Sequence, residues 1–193
     1  VFQDGSLKMR GIEVRRSDTP AFISAAQQEV LELLAQAPDA EALPRCLPQV
    51  VRLLRSRLGE LRQGRVPVKG LLASQKLSRR LDEYRTPSPV ARATAQLESI
   101  GKFTEPGEHV RFVYMRGSPG VHAWDLETPP DLDGVDVARY TELFVRAMST
   151  VLQPLGVEEA RLRDWLFANA AYDAPPGFLP PPGSRRLPLL PVS

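Results

Sequence analysis

The chain has 193 residues, of which 42% are hydrophobic and 25% are charged, and its formal net charge is +2 at pH 7. These values are ordinary for a globular protein with a real core, and the length suits one domain or a domain with a small appendage. The single cysteine, Cys46, excludes an internal disulfide framework and a cysteine-based zinc site. It fits a reducing compartment, so we expect a cytoplasmic protein. No window approaches a transmembrane span, so we expect no membrane partner.

The first residues predict a β-hairpin. Val1-Phe2 and residues 7–10 have the composition of strands, and Asp4-Gly5 between them is a typical tight-turn signal. An isolated hairpin is marginal in water, so we expect this one to belong to a sheet whose other strands lie outside this sequence. We therefore interpret the chain as a piece of a larger protein.

The remaining elements follow from apolar periodicity and from Gly and Pro signals. Asp18 and Thr19 predict a helix cap, with Pro20 at the first helical position. Helices are predicted at residues 21–37, from about 41 or 48 to 63, and at 77–84, 90–100, 136–153 and 158–169. Strands are predicted at residues 71–74, 109–116 and 121–126. The last two of these strands should pair with each other. The predicted fold class is α+β and mainly helical, with a small strand insert.

Charge is distributed unevenly along the sequence. Residues 45–80 contain ten Lys and Arg residues and one acid, whereas residues 119–145 contain six acids and one basic residue. Segregation of this size suggests one face that binds a polyanion and another that repels it. The alternative is an arginine-rich helix that is merely solvated.

Sequence motifs for catalysis or metal binding are not recognisable. Asp131-Leu132-Asp133 follows two prolines and lacks a flanking apolar strand, which indicates an acidic loop. His109 and His122 lack ligand spacing, and no Ser, Cys and His residues form a triad signature. We therefore predict no metal and no cofactor for this segment. Trp124 and Trp165 are expected in the core.

Four segments carry a family resemblance through their order and spacing. They are Arg-Gly-Ile-Glu-Val-Arg-Arg-Ser-Asp at 10–18, Leu-Ser-Arg-Arg-Leu-Asp-Glu-Tyr at 77–84 followed by a helix at 87–97, Pro106-Gly107 followed by a strand at 110–114, and a closing helix at 140–156. Together they resemble family B DNA polymerases where the palm domain ends and the thumb domain begins. The resemblance implies a palm-edge hairpin at 1–18, a thumb domain at 19–170 and a Pro-rich, disordered tail at 171–193.

The resemblance also implies a function. A thumb grips primer–template duplex DNA by its phosphates, and its partners are that duplex and the rest of the polymerase.

The family's catalytic Asp residues, in Ser-Leu-Tyr-Pro and Asp-Thr-Asp runs, are not in this sequence, so Mg²⁺ is implied for the parent enzyme and this segment should be non-catalytic alone. Tyr84 is expected to be a packing residue whose hydroxyl finds a partner. The implied DNA-binding residues are Lys76, Arg79, Arg80 and Arg85, with Gln75 and Ser78 adding neutral bonds, and Arg15 and Arg16, which either touch DNA or pair with Glu13 or Asp18.

The tail supports two further hypotheses. The alternative function is a stand-alone basic interaction module, because residues 185–191 fit the Arg-x-x-Pro-x-x-Pro pattern that SH3 domains bind. Residues 186–190 also resemble the short peptide by which bacterial polymerases dock on a sliding clamp, with Leu187, Leu189 and Leu190 as the docking residues. They depart from it by Arg for Gln and Leu for Phe. The other possibility for the tail is that it has no partner.

Overall fold

The structure is a computed structural model that describes residues 19–167. The hairpin predicted at 1–18 and the tail predicted at 171–193 lie outside these residues, as do Arg15, Arg16 and the three tail leucines. In the described part, helices are α1 Ala21–Leu34, α2 Leu43–Arg62, α3 Pro89–Glu98, α4 Val137–Leu152 and α5 Glu159–Phe167, and strands are β1 Ala73–Lys76, β2 His109–Tyr114 and β3 Val121–Ala123. The α+β, mainly helical class is confirmed. No helix of the described residues is long and apolar enough to cross a membrane.

Helix boundaries follow the predicted signals with small shifts. Pro20 is the N-cap of α1 and not its first helical residue, and it accepts hydrogen bonds at its carbonyl from the amides of Ile23 and Ser24. α2 continues through Pro48, because a stripe of leucine and valine side chains is buried along its length. Gly64, at φ +66°, ends the helical region as predicted, since this left-handed conformation suits glycine.

The helix predicted at 77–84 is wrong. The amide of Leu77 donates to the carbonyl of Glu108 at 2.9 Å, so Leu77 extends the β ladder beyond β1. Arg80 is also extended, at φ −66° and ψ 155°, and the segment is helical only in the 3₁₀ turn Leu81–Glu83. The strand predicted at 71–74 is shifted to β1, because the 3₁₀ helix Val68–Leu71 occupies its first position.

The three strands form one antiparallel sheet in the order β1-β2-β3. Phe112 of β2 lies opposite Ala73 on one side and Ala123 on the other, which confirms the predicted pairing of the last two strands. α3 packs on this sheet through Gln96, whose amide nitrogen donates to Val121 O at 2.8 Å. Its amide oxygen accepts from the Ala123 amide at 2.8 Å.

Tyr140 of α4 joins the helical layer to the sheet. Its hydroxyl donates to the carbonyl of Leu71 at 2.6 Å and accepts from the amide of Tyr114 at 3.0 Å. Burial raises the pKa of the Tyr140 phenol well above its ordinary value, so the hydroxyl stays a donor at any working pH. As predicted for a core residue, Trp165 is buried, whereas Trp124 is half-buried.

Candidate nucleic-acid interface

Residues 75–85, the basic segment, connect β1 to α3 across the surface. Leu77 is 1% exposed, and Leu81 and Tyr84 pack against the same core from partly buried positions. The cationic side chains between and around these three anchors are all exposed: Lys76, Arg79, Arg80 and Arg85. The fold therefore holds the backbone of this segment by apolar anchors and directs its charges to solvent.

Lys76 lies at the end of β1, opposite His109 of β2. Its Cε atom is 3.8 Å from the position that a Cβ atom would take at Gly107. The backbone next to Lys76 is fixed by a hydrogen bond, because the Gly107 amide donates to Leu77 O at 2.7 Å. Lys76 forms no ion pair with the described residues, so its ammonium group is available to a ligand.

Tyr84 and Ser78 hold the two ends of the basic segment together. The Tyr84 hydroxyl accepts from the Ser78 amide at 3.3 Å and lies 3.0 Å from the Ser78 hydroxyl. Burial acts to raise the pKa of Tyr84, but hydrogen bonds from Ser78, Arg79 and Ser88 outweigh it and lower that pKa below its ordinary value. The prediction that the Tyr84 hydroxyl finds a partner is confirmed.

The two neutral residues proposed for phosphate binding both have partners within the fold. The Ser78 hydroxyl is engaged with Tyr84. The side-chain amide of Gln75 is half-buried and donates to the Tyr114 hydroxyl at 3.4 Å. Their first role in the structure is therefore to fix the segment, and the cations are its outward-facing groups.

The arginines of the basic segment make only weak contacts within the described part of the chain. The Arg79 guanidinium carbon lies 5.4 Å from the centroid of the Tyr84 ring. Arg80 Nε is 3.7 Å from Asp82 Oδ1, with side chains 70% and 76% exposed, so solvent screens this pair. Arg85 forms no hydrogen bond or ion pair with residues 19–167. All three can therefore turn toward an anion at little cost.

The arginines of α2 are used differently. Arg55 donates from Nε at 2.8 Å to the carbonyl of Trp165, near the end of α5. Arg57 donates to Glu29 of α1 and to Glu60, and these hydrogen bonds raise the pKa of the Arg57 guanidinium above its ordinary value despite its partial burial. Arg62 lies over the Phe167 ring at 5.1 Å. Arg55, Arg57 and Arg62 of α2 therefore contact side chains or backbone of the fold, whereas Arg52 of the same helix is exposed.

Comparison with known proteins identifies the family. The family model described as DNA polymerase family B matches residues 2–146. The chain belongs to DNA polymerase family B. The resemblance of the four sequence segments to family B is thereby confirmed.

The individual relatives of this chain are distant and much longer. It is 24% identical to DNA polymerase 1 of Saccharolobus solfataricus over 158 residues, which cover 81% of this chain and 18% of that protein. It is 24% identical to a DNA polymerase of Thermococcus hydrothermalis over 165 residues, which cover 83% of this chain and 10% of that one. The chain therefore spans about a fifth or less of the length of these relatives.

A solved structure supports the fold. The family B DNA polymerase from the hyperthermophilic archaeon Pyrobaculum calidifontis superposes with a TM-score of 0.60 at 24% identity. The match covers 73% of this chain and 18% of that one. The likeness shows that most of this chain has the fold of a segment of that structure.

Two acidic residues between 119 and 145 have structural contacts within the described part of the chain. Asp125 pairs with Arg111 at 2.7 Å, and Asp136 caps α4 by accepting from the Arg139 amide at 2.9 Å. The Asp131–Asp133 stretch is an exposed loop with a 3₁₀ turn, as predicted. Among residues 19–167 no three His, Cys, Asp or Glu side chains come together in a way that could hold a metal ion. These residues therefore do not fit the Mg²⁺ implied for the parent enzyme.

Proposed function

We propose that residues 19–170 are the thumb domain of a DNA-directed DNA polymerase, joined to the palm edge formed by residues 1–18. The basic segment would grip primer–template duplex behind the active site. Membership of DNA polymerase family B supports this proposal and favours it over the stand-alone interaction module. The observation that carries the DNA-binding role is the row of four exposed cations held by buried anchors.

The proposed grip works through charge and pre-organisation. Lys76, Arg79, Arg80 and Arg85 neutralise phosphates and release their counterions, which favours binding to any sequence. Because Leu77, Leu81 and Tyr84 already fix the backbone, less conformational entropy is lost on binding than for a disordered basic loop. Arg15 and Arg16 are proposed to add contacts at the palm–thumb junction.

The proposed partner of the thumb is the rest of the polymerase, which would supply the paired carboxylates and Mg²⁺. The sequence has neither an Asp-Thr-Asp nor a Ser-Leu-Tyr-Pro run. We therefore expect the purified chain to extend no primer when it is mixed with primer–template, dNTPs and Mg²⁺. Metal-dependent extension that survives repurification would contradict the assignment.

Duplex binding by the whole chain tests the proposal directly. Three to five phosphate contacts predict that the logarithm of the association constant falls with the logarithm of salt with a slope of roughly −3 to −4.5. Fluorescence anisotropy with labelled duplexes of unrelated sequence would measure this slope. Arg146→Gln is a suitable control, because Arg146 is exposed on α4, which packs on α1, α2 and α5. A flat salt response, or a strong preference for one sequence, would overturn the proposal.

A further inference from the structure

Arg92, in the first turns of α3, is a half-buried cation without a counter-charge. Its Nε atom is shielded from solvent and has no hydrogen-bond partner among residues 19–167. Nor does any other atom of its side chain form a hydrogen bond or ion pair with residues 19–167. A guanidinium stays charged at every working pH, so burying it without a partner is costly. Such a group is expected where a ligand supplies the missing charge.

The guanidinium lies against the turn between β2 and β3. A Cβ atom at Gly120 would be 3.4 Å from Arg92 Nη1 and 3.7 Å from its Cζ. Gly120 has φ +77°, and its carbonyl accepts from the Met115 amide at 3.1 Å, which closes the turn. A side chain at this position would crowd the guanidinium, whereas glycine leaves bare backbone beside it.

The surroundings hold Arg92 in place and leave its charge uncompensated. Gln96, one helical turn further on, fixes α3 to β3 through its two hydrogen bonds. Arg116, in the same turn as Gly120, donates instead to the carbonyl of Asp133. The position of Arg92 near the start of α3 also places it at the positive end of that helix.

We propose that Arg92 and the β2–β3 turn form a phosphate-binding site, distinct from the basic segment, that takes one phosphate of a nucleic-acid strand. The planar guanidinium matches a phosphate by paired N–H donors. The 3₁₀ turn Leu81–Glu83 of the basic segment contacts α3, so the two candidate sites lie on adjoining elements. The choice of a nucleic-acid phosphate over a free one rests on the proposed thumb function.

Two substitutions in the full chain test the site. Arg92→Gln should weaken duplex binding about 3- to 10-fold and should make the log–log salt slope shallower by roughly 0.9, the value for one phosphate contact. Arg92→Lys keeps the positive charge but loses the paired N–H donors of the guanidinium. This variant should therefore retain the salt slope of duplex binding and lose part of the duplex affinity. The melting temperature of Arg92→Gln should not fall, because no protein partner is lost. The same charge change at Arg146 should leave the duplex affinity within about twofold.

A second readout separates this site from the proposed function. Inorganic phosphate should raise the melting temperature of the wild-type chain with the logarithmic concentration dependence of a single binding site, and Arg92→Gln should reduce that rise. If wild-type binding shows the expected salt slope and Arg92→Gln changes neither the slope nor the phosphate effect, the Arg92 site is refuted and the thumb function stands. If the wild type ignores duplex but responds to phosphate through Arg92, the site takes free phosphate and its assignment to nucleic acid is refuted.

Discussion

Two arginine-rich regions of the molecule use the same side chain for opposite purposes. In α2, Arg55 donates hydrogen bonds to the carbonyl of Trp165 in α5. Arg57 of the same helix donates to the carboxylates of Glu29 and Glu60. In the basic segment, Arg79, Arg80 and Arg85 stay exposed, and among residues 19–167 they form one ion pair, which solvent screens. The first region stabilises the fold, and the second offers its charge to a ligand.

The difference shows that local charge density does not by itself locate a binding surface. α2 contains five arginines and the basic segment four Lys and Arg residues, yet the neighbours α1 and α5 supply partners to Arg57 and Arg55 of α2. The basic segment has apolar anchors instead of partners. A cation is available to a polyanion when the fold fixes its backbone and leaves its head group unpaired.

The largest effect should come from removing two arginines of the basic segment. Arg79→Ala combined with Arg80→Ala should lower duplex affinity roughly 10- to 100-fold for every sequence and reduce the salt slope by about 1.8. The unfolding free energy should change by at most about 1 kcal/mol, since only an exposed cation–π contact and a screened ion pair are lost. Anisotropy titrations at several salt concentrations would measure the first effect, and urea unfolding the second.

A matched control separates position from net charge. Arg52→Ala combined with Arg146→Ala removes the same charge from exposed positions on α2 and α4. We expect this variant to bind duplex within about threefold of the wild type. Equal losses in the two double variants would mean that overall charge governs binding, and the distinction between the two regions would fail.

A substitution in α2 should have the opposite effect, a loss of stability without a loss of duplex affinity. Arg57→Met should lower the unfolding free energy by about 1–2 kcal/mol, because it leaves Glu29 and Glu60 without their partner. The loss should not be larger, since the Arg57 and Glu29 side chains are 33% and 30% exposed. Duplex affinity should not change. Arg52→Met on the exposed face of the same helix is the control, and a DNA-binding defect in Arg57→Met at unchanged stability would reverse the assignment.

The structural anchors of the basic segment can be tested through Tyr84. Tyr84→Phe removes the hydroxyl that bonds to Ser78 and leaves the ring under Arg79. We expect a two- to threefold loss of duplex affinity with an unchanged salt slope, because the cations remain and only their pre-organisation is reduced. A shallower slope would mean that Tyr84 or Ser78 takes part in phosphate binding itself.

The acidic loop should matter least for DNA. Asp131→Asn combined with Asp133→Asn removes two negative charges from an exposed turn. Duplex affinity should stay within about twofold or increase slightly, since repulsion of a polyanion is reduced. Weaker binding by this variant than by the Arg79 and Arg80 double variant would show that the binding face lies elsewhere.

The sequence predicts all five described α-helices, α3 included, and its main error is the extra helix at 77–84. The five are predictable because each carries apolar residues at helical spacing near Pro or Gly signals. Leu77, Leu81 and Tyr84 have the same spacing, but they are anchors of an extended segment. What decides this is the hydrogen bond from Leu77 to Glu108, a contact between residues distant in the sequence.

The candidate site shows the same limit. The cations of the basic segment could be named from the sequence, whereas the partners of Gln75 and Ser78 depend on where Tyr114 and Tyr84 lie in three dimensions. Arg92 could not be found from the sequence at all. Its significance depends on a missing counter-charge and on Gly120, 28 positions away.

A third arginine pair, Arg185 and Arg186, belongs to the Pro-rich tail, and we expect its removal to have the smallest effect on the thumb itself. Deleting residues 171–193 should leave duplex affinity and stability nearly unchanged, because a Pro-rich stretch contributes little to a core. Two hypotheses remain for the tail: it has no partner, or it tethers the enzyme to a sliding clamp through Leu187, Leu189 and Leu190.

A peptide of residues 184–193, labelled and titrated against a sliding clamp, tests the tether. Docking predicts saturable micromolar binding, about −8 kcal/mol, because the leucines would fill an apolar pocket while a short flexible peptide makes few other contacts. Leu187→Ala combined with Leu190→Ala should abolish it, whereas Arg185→Ala should not, since the docking residues are apolar. If the peptide does not bind at a high micromolar concentration of clamp, the docking hypothesis is refuted. Binding that depends on Arg185 and not on the leucines would point to charge attraction alone.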